Sequence, residues 1–143
     1  AGLENEEGID WFVIEDYEAE EGTTSTHAEY IKAAIELWGI DYIYIDSAAQ
    51  QSKADLAYDY EIFTEKANKS VNDGIAYLQV LVEQEKIHFD EEHGKRTFDA
   101  MSAYKWNSKT EKQKPLHDKY SHLFDAIRYA VYTYSKASAV SVY

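Results

Sequence analysis

Residues 26–46, THAEYIKAAIELWGIDYIYID, decide the fold class because a helical pattern passes directly into a strand pattern. In the first half, apolar residues recur at i, i+4 and i+7, which predicts a helix with one buried face. We expect this helix to begin at a capping box formed by Thr26 and to end at Gly39. The apolar, β-branched run at residues 42–45 then predicts a buried strand, which is followed at once by Asp46.

The same alternation continues on both sides of this stretch. Apolar runs and helical periodicities predict strands at residues 9–15, 62–64 and 87–89, and helices at residues 52–58, 70–84, 97–105 and 117–135. Alternating strands and helices are typical of an α/β fold with at least one parallel pair of strands. Gly74 lies inside one predicted helix and weakens it by about 1 kcal/mol, unless a close backbone contact requires a glycine there.

The composition excludes several classes of protein. The chain has 143 residues, of which 45% are apolar and 15% aromatic. We therefore expect one folded domain spanning residues 1–143 and not a disordered chain. The absence of cysteine excludes disulfides, Cys-ligated metals and a thiol nucleophile. No apolar run approaches the ~20 residues that a membrane-spanning helix needs, so we expect no membrane partner.

Charge is distributed unevenly along the chain. The formal net charge is −13, which argues against nucleic-acid binding by bulk charge alone. Residues 1–21 carry nine acids and no Lys or Arg, whereas residues 95–143 carry nine Lys and Arg against four acids. The C-terminal third can therefore face a polyanion. An ordinary solvated surface with a chance asymmetry explains the same numbers.

Two groups of residues are candidates for chemistry. Asp46 follows a buried strand, and open α/β sheets bind ligands at the carboxyl ends of their strands. Asp118, His122 and Asp125 are spaced i, i+4 and i+7, so they line one stripe of a helix. Carboxylates of this kind suit Mg²⁺ or Mn²⁺ and phosphodiester hydrolysis. The structural alternatives are a turn or capping role for Asp46 and a solvated helix surface for the other three.

Four stretches, taken in order, resemble a known family. They are residues 42–48 (YIYIDSA), residues 66–75 (KANKSVNDGI) with Leu78 and Gln79, residues 104–106 (YKW) and residues 122–129 (HLFDAIRY). Together they resemble the C-terminal nuclease domain of tailed-phage terminase large subunits, over about residues 9–135. The resemblance implies an RNase H-like mixed sheet flanked by helices. It also implies an endonuclease that cuts concatemeric viral DNA during genome packaging.

The resemblance implies roles for individual residues. Asp46 and Asp125 would be the catalytic acids that bind Mg²⁺ or Mn²⁺. His122 would orient a ligand or assist proton transfer. The residues expected to contact DNA are Lys66, Lys105, Lys109, Lys112 and Lys114. The implied partners are double-stranded viral DNA, an N-terminal ATPase motor domain of the same polypeptide, the small terminase subunit and the portal protein, all in the host cell cytoplasm.

The sequence departs from the family pattern in two places. The family's first metal-binding Asp lies on a strand before the one predicted at residues 9–15, and we expect that hairpin and its Asp to be missing here. Asp10 and Asp16 are nearby acids outside the expected context. Before the Tyr-x-Trp element, where the family often has Glu, the nearest acid is Asp99. Two alternatives stay open: another RNase H-like nuclease, of the resolvase or transposase kind, and a non-enzymatic acidic α/β interaction module.

Overall fold

The computed structural model describes residues 1–5, 8–19, 21–107 and 121–140. In chain order the elements are β1 (Gly2–Asn5), β2 (Gly8–Val13), α1 (Thr24–Trp38), β3 (Tyr44–Ile45), α2 (Gln50–Tyr60), β4 (Glu65–Lys66), α3 (Val71–Glu83), β5 (Ile87–Phe89), α4 (Lys95–Asn107) and α5 (Ser121–Val140). Strands alternate with helices, so the predicted α/β class is confirmed.

The strands of the described residues form two short sheets. In the first, β1 pairs antiparallel with β2, and β2 pairs parallel with β5. In the second, β3 pairs parallel with β4. Mixed pairing with flanking helices is consistent with the predicted RNase H-like domain. Within the described chain, β1 and β3 each pair with one strand, so each has one unpaired edge.

Two apolar clusters hold the elements together. One packs α3 and α5 against the larger sheet and centres on the buried side chains of Leu78, Leu81, Phe124, Ile127 and Val131. The other joins α1 to α2 and β3 around Ala28, Leu56 and Ile62. Helix α5 contacts α3, α4 and β3, so it lies between the two clusters. Its apolar face agrees with the periodicity predicted from the sequence.

Helix α1 ends where the sequence predicts, but its N-cap lies three residues earlier than expected. Gly39 has φ 61°, the left-handed conformation that favours glycine, and its N–H bonds to the Ile35 carbonyl. The expected capping box at Thr26 is wrong. The helix is capped by Thr23, whose side chain accepts a hydrogen bond from the Thr26 N–H. Since both threonines are good capping residues, local sequence could not choose between them.

The predicted strand at residues 62–64 is wrong. Glu61 adopts a left-handed conformation that ends α2, and the Ile62 N–H bonds back to the Leu56 carbonyl. Ile62 is therefore buried in the α1–α2 cluster, and the strand β4 forms three residues later than expected. The strand predicted at residues 42–45 is reduced to Tyr44–Ile45.

The expectation of a missing hairpin before residues 9–15 also needs correction. Residues Gly2–Asn5 form β1, which makes a hairpin with β2. The acidic composition of this segment concealed the strand, because Glu and Asn are depleted in strands. β1 contains Glu4 but no Asp, so the hairpin does not supply the expected family residue.

The remaining helices lie close to their predicted positions. Those predicted at residues 52–58, 70–84 and 97–105 correspond to α2, α3 and α4. Of the helix predicted at residues 117–135, residues 117–120 lie outside the described chain, and α5 continues to Val140. A search of the described helices finds none with the length and apolar character needed to cross a membrane.

Candidate functional site

Asp46 lies at the edge where two parallel strands end. β3 and β4 run side by side with Ile45 opposite Lys66, so the residues that follow them emerge at one edge of the sheet. There Asp46 Oδ1 is 2.8 Å from the Nζ atom of Lys69. The Ala48 backbone N–H donates a 2.8 Å hydrogen bond to the same carboxylate oxygen. These two donors hold the pKa of Asp46 below its ordinary value of 3.8, and the larger effect comes from the Ala48 N–H.

Of the two structural roles considered for Asp46, the structure shows the turn and not the helix cap. The bond from Ala48 shows that Asp46 does form a local turn. The N-cap of α2, however, is Ala49, which makes no side-chain capping bond. The second carboxylate oxygen accepts a 3.4 Å hydrogen bond from the Tyr129 hydroxyl on α5. Asp46 therefore joins β3 to α5 as well as closing a turn.

Asp125 is held by a buried arginine one turn along α5. Arg128 Nη2 donates a 2.9 Å hydrogen bond to Asp125 Oδ1, and the arginine side chain is only 5% exposed. Its Nη1 atom donates to the backbone carbonyls of Lys69 at 3.3 Å and Ser70 at 2.8 Å. Arg128 therefore fastens the segment between β4 and α3 to the helix that carries Asp125.

One cavity brings the predicted catalytic residues together. Asp46, His122, Asp125 and Tyr129 line a cavity of about 700 Å³ between β3, α1 and α5. Asp46 and Asp125 both raise the pKa of Lys69 electrostatically, Asp46 most strongly through its hydrogen bond. His122 is exposed at this cavity. Asp46 follows β3, whereas His122 and Asp125 lie on α5. The three predicted catalytic residues are therefore far apart in sequence but line the same cavity.

A second cavity adjoins the first and reaches the edge of β1. It measures about 680 Å³ and is lined by Gly2 and Glu4 of β1 and by Tyr44 of β3. Residues that line both cavities are Glu15, Tyr30, Ala34, Ile40, Tyr42, Tyr44 and Ala130. The two cavities form one trough, which runs between β1 and β3 and ends at Asp46. We call this space the inter-sheet trough.

The lysines predicted to contact DNA lie in different parts of the chain. Lys66 is exposed on β4, directly before the site. Lys105 belongs to α4. Lys109, Lys112 and Lys114 lie outside the described residues, as does Asp118. All five lysine assignments stay predictions.

The other acids weighed in the sequence have structural partners. Asp16 is nearly buried and accepts hydrogen bonds from Arg96 Nε at 3.0 Å and from the Thr97 N–H at 3.1 Å at the start of α4. Asp99 forms an ion pair with Lys95. Asp10 lies 3.4 Å from the His88 ring across the β2–β5 pair. None of the three lines the cavity that holds Asp46.

Sequence reasoning missed Lys69, Arg128 and Tyr129. All three fall inside the stretches that carry the family resemblance, KANKSVNDGI and HLFDAIRY. A cation or a hydrogen-bond donor beside Asp46 was foreseeable, because a carboxylate at a strand end needs such a partner. The identity of the partner depends on where β4 ends, which the sequence placed three residues too early.

The donor set at this site fits a hard divalent cation. Carboxylate oxygens are the ligands that Mg²⁺ prefers, and it commonly takes one or two from protein and the rest from water or phosphates. The Lys69 ammonium lies 2.8 Å from Asp46, which shows that this carboxylate attracts cations. Within the described residues no cluster of three or more His, Asp or Glu side chains is preformed for a metal. Two ions would therefore need further acidic ligands.

Comparison with known proteins places these features in context. Residues 3–133 match the family described as the terminase RNaseH-like domain. Over 131 residues the chain is 43% identical to a protein of Escherichia phage T5 named "Terminase, large subunit". That alignment covers 88% of this chain and 30% of the phage protein, so the chain spans about a third of its relative. No solved structure matches the chain.

Proposed function

This chain belongs to the terminase RNaseH-like domain family, and from that premise we propose that it is the endonuclease domain of a viral DNA-packaging terminase large subunit. The proposed reaction is metal-dependent hydrolysis of phosphodiester bonds in concatemeric genome DNA. Family membership favours this role over that of a resolvase or transposase.

The observation that carries the proposal is the shared cavity of Asp46 and Asp125. Phosphodiester hydrolysis of this kind needs carboxylates close enough to share dications. Both carboxylates act on one ammonium group, that of Lys69, which supports their being neighbours in space. Hydrogen bonds from Ala48 and Lys69 hold the pKa of Asp46 below its ordinary value of 3.8, so they favour the charged carboxylate that binds a cation.

Asp46 and Asp125 would hold Mg²⁺ or Mn²⁺, which when bound supplies an activated water and stabilises the leaving oxygen. The chain's own residues orient those ligands. Tyr129 donates to Asp46, and Arg128 donates to Asp125, so each carboxylate keeps one oxygen directed by a neighbour. His122 faces the same cavity and can accept or donate a proton there.

A third carboxylate would complete a two-ion site. The inter-sheet trough supports the proposal that a further strand supplies it. The trough lies between β1 and β3 and ends at Asp46. Each of these strands has one unpaired edge among the described residues. An extended segment in the trough would pair with both edges and join the two sheets into one. The family's first metal-binding Asp is expected on such a strand, so we propose that a strand of the longer polypeptide occupies the trough.

The proposed partners follow from the role in packaging. They are double-stranded viral DNA, an ATPase motor domain N-terminal to this one, the small terminase subunit and the portal protein, in the host cytoplasm. Lys66, exposed beside Asp46, is the described lysine best placed to meet a DNA phosphate. Phosphate contacts by lysine are largely independent of base sequence.

Plasmid cleavage by the full terminase polypeptide that contains this chain tests the proposal. In Mn²⁺, we expect Asp46→Ala and Asp125→Ala to abolish nicking and linearisation. Asp59→Ala is the matched control, since Asp59 is an exposed acid on α2 away from the cavity. Unchanged cleavage by either site variant would contradict the assignment.

One observation favours a non-enzymatic interaction module instead. Asp46 and Asp125 both have cationic partners inside the chain, Lys69 and Arg128, as structural acids do. For such a module we expect no Mn²⁺ binding, and a loss of stability in both Asp→Ala variants. Dication binding that Asp46→Asn removes would decide against this alternative.

A further inference from the structure

We infer that Lys69 is a positioning residue, whose ammonium group holds the cation position on Asp46 and is exchanged for the dication when one binds. This inference rests on the proposed function, because it concerns how that metal site is filled. Lys69 lay outside the residues predicted for the site. Its position three residues after β4 places it at the carboxyl end of that strand.

The main chain of Lys69 is fixed from both sides by α5. The Asn68 N–H donates a 2.8 Å hydrogen bond to Thr133 Oγ1. The carbonyls of Lys69 and Ser70 accept hydrogen bonds from the buried Arg128. Because Asp46 is also tied to α5 through Tyr129, the base of the lysine and its carboxylate partner share one rigid support.

The side chain of Lys69 has the freedom that its main chain lacks. It is 43% exposed, and Asp46 is 38% exposed, so the 2.8 Å ion pair between them is in contact with solvent. Exposed pairs of this type are weak, because side-chain entropy and solvent screening oppose them. A dication with a stronger attraction to carboxylate oxygen can therefore displace the ammonium without moving the backbone.

The Lys69 ammonium and a dication would compete for the same carboxylate, that of Asp46. The Lys69 ammonium feels both Asp46 and Asp125, so it lies in the field that would attract the metal. A dication on Asp46 and an ammonium at 2.8 Å from the same oxygen repel each other. The lysine therefore lowers the affinity of the empty site and keeps Asp46 in one orientation until the metal arrives.

Isothermal titration of MnCl₂ into the full terminase polypeptide tests this inference. Lys69→Met removes the charge and keeps the length, and Lys69→Arg keeps the charge. Lys32→Met is the matched control, since Lys32 is an exposed lysine on α1 that does not line the Asp46 cavity. Titration of Asp46→Asn defines binding at other sites of the polypeptide, which is subtracted. We expect Lys69→Met to bind Mn²⁺ about fivefold more tightly than wild type, the scale of one exposed ion pair.

The controls separate this inference from the proposed function. Lys69→Arg and Lys32→Met are expected to bind Mn²⁺ as wild type does. Without metal, Lys69→Met should have a lower melting temperature than wild type, and saturating Mn²⁺ should remove the difference. Equal Mn²⁺ affinity in wild type and Lys69→Met would overturn the exchange and leave the metal site standing. No Asp46-dependent binding in any variant would overturn the proposed function together with the exchange.

Discussion

Gly74 lies directly against the side chain of Arg128. A β-carbon at position 74 would be 2.9 Å from Arg128 Cγ and 3.0 Å from Cδ, closer than real β-carbons pack. Both residues are buried. This contact explains a glycine at the fourth residue of α3, where glycine costs up to about 1 kcal/mol relative to alanine. The glycine makes room for the arginine that supports Asp125 and the Lys69 segment.

Gly74→Ala is expected to destabilise the protein by about 1–3 kcal/mol, the usual range for overpacking, despite the better helix propensity of alanine. Arg128 cannot move aside freely because its guanidinium is bonded at three oxygens. Urea denaturation measures the effect. Ala76→Gly, at an exposed position of the same helix, is the control, with an expected loss of about 1 kcal/mol. A gain of stability in Gly74→Ala would disprove the close contact.

Arg128→Met is expected to lower the free energy of unfolding by about 2–4 kcal/mol, since hydrogen bonds from a buried charged donor are among the stronger ones. It should also weaken Mn²⁺ binding, because Asp125 loses its orienting partner. Lys136→Met is the comparison on the same helix, a cation over the Tyr132 ring at 5.3 Å. We expect it to change stability by less than about 1 kcal/mol. Equal losses in the two variants would contradict a special role for Arg128.

Asp46 should titrate below its ordinary pKa of 3.8 in a carboxyl-detected NMR experiment. Because the pKa is lowered by folding, its contribution to stability is present above about pH 4 and is lost as the pH falls through the folded pKa. The largest cause is the Ala48 N–H, with Lys69 second. Lys69→Met should therefore raise the pKa of Asp46 only part of the way. A pKa at or above 3.8 in the wild type would refute the hydrogen-bond pattern.

Tyr30 should stay protonated well beyond the usual range for tyrosine. Burial raises its pKa to about 12, with a further contribution from the hydrogen bond with Glu15. A raised tyrosine pKa stabilises the fold below pH 10, and this contribution is lost as the pH rises from 10 to about 12. Spectrophotometric titration of wild type against Tyr30→Phe isolates its transition. Ionisation of Tyr30 near pH 10 would show that the trough is more hydrated than the packing indicates.

Asp16→Ala is expected to cost about 1–2 kcal/mol, as the loss of a helix-capping acid does, without changing Mn²⁺ binding. Asp16 accepts from the Thr97 N–H at the first turn of α4 and from Arg96, and it lies outside the Asp46 cavity. Thermal denaturation and MnCl₂ titration of one sample measure both quantities. Weaker Mn²⁺ binding in this variant would show that Asp16 belongs to the site.

Local features were predictable because neighbouring residues alone decide them. Gly39 ends α1, and the periodicities of α3 and α5 place both helices close to their observed ranges. The family resemblance, carried by four short stretches, was also available from the sequence, and the match over residues 3–133 confirms it. The catalytic roles of Asp46, His122 and Asp125 stay predictions.

Strand pairing and side-chain partners were decided by the tertiary structure. β1 and β4 depend on strand partners elsewhere in the chain, and neither has a distinct local pattern. The sequence analysis therefore missed β1 and placed β4 three residues too early. That shift of three residues changed which lysine stands at the end of β4: Lys66 lies in the strand, and Lys69 reaches Asp46. Whether a charged side chain meets a carboxylate depends on how two strands and α5 cross, and no spacing within one segment of sequence specifies that crossing.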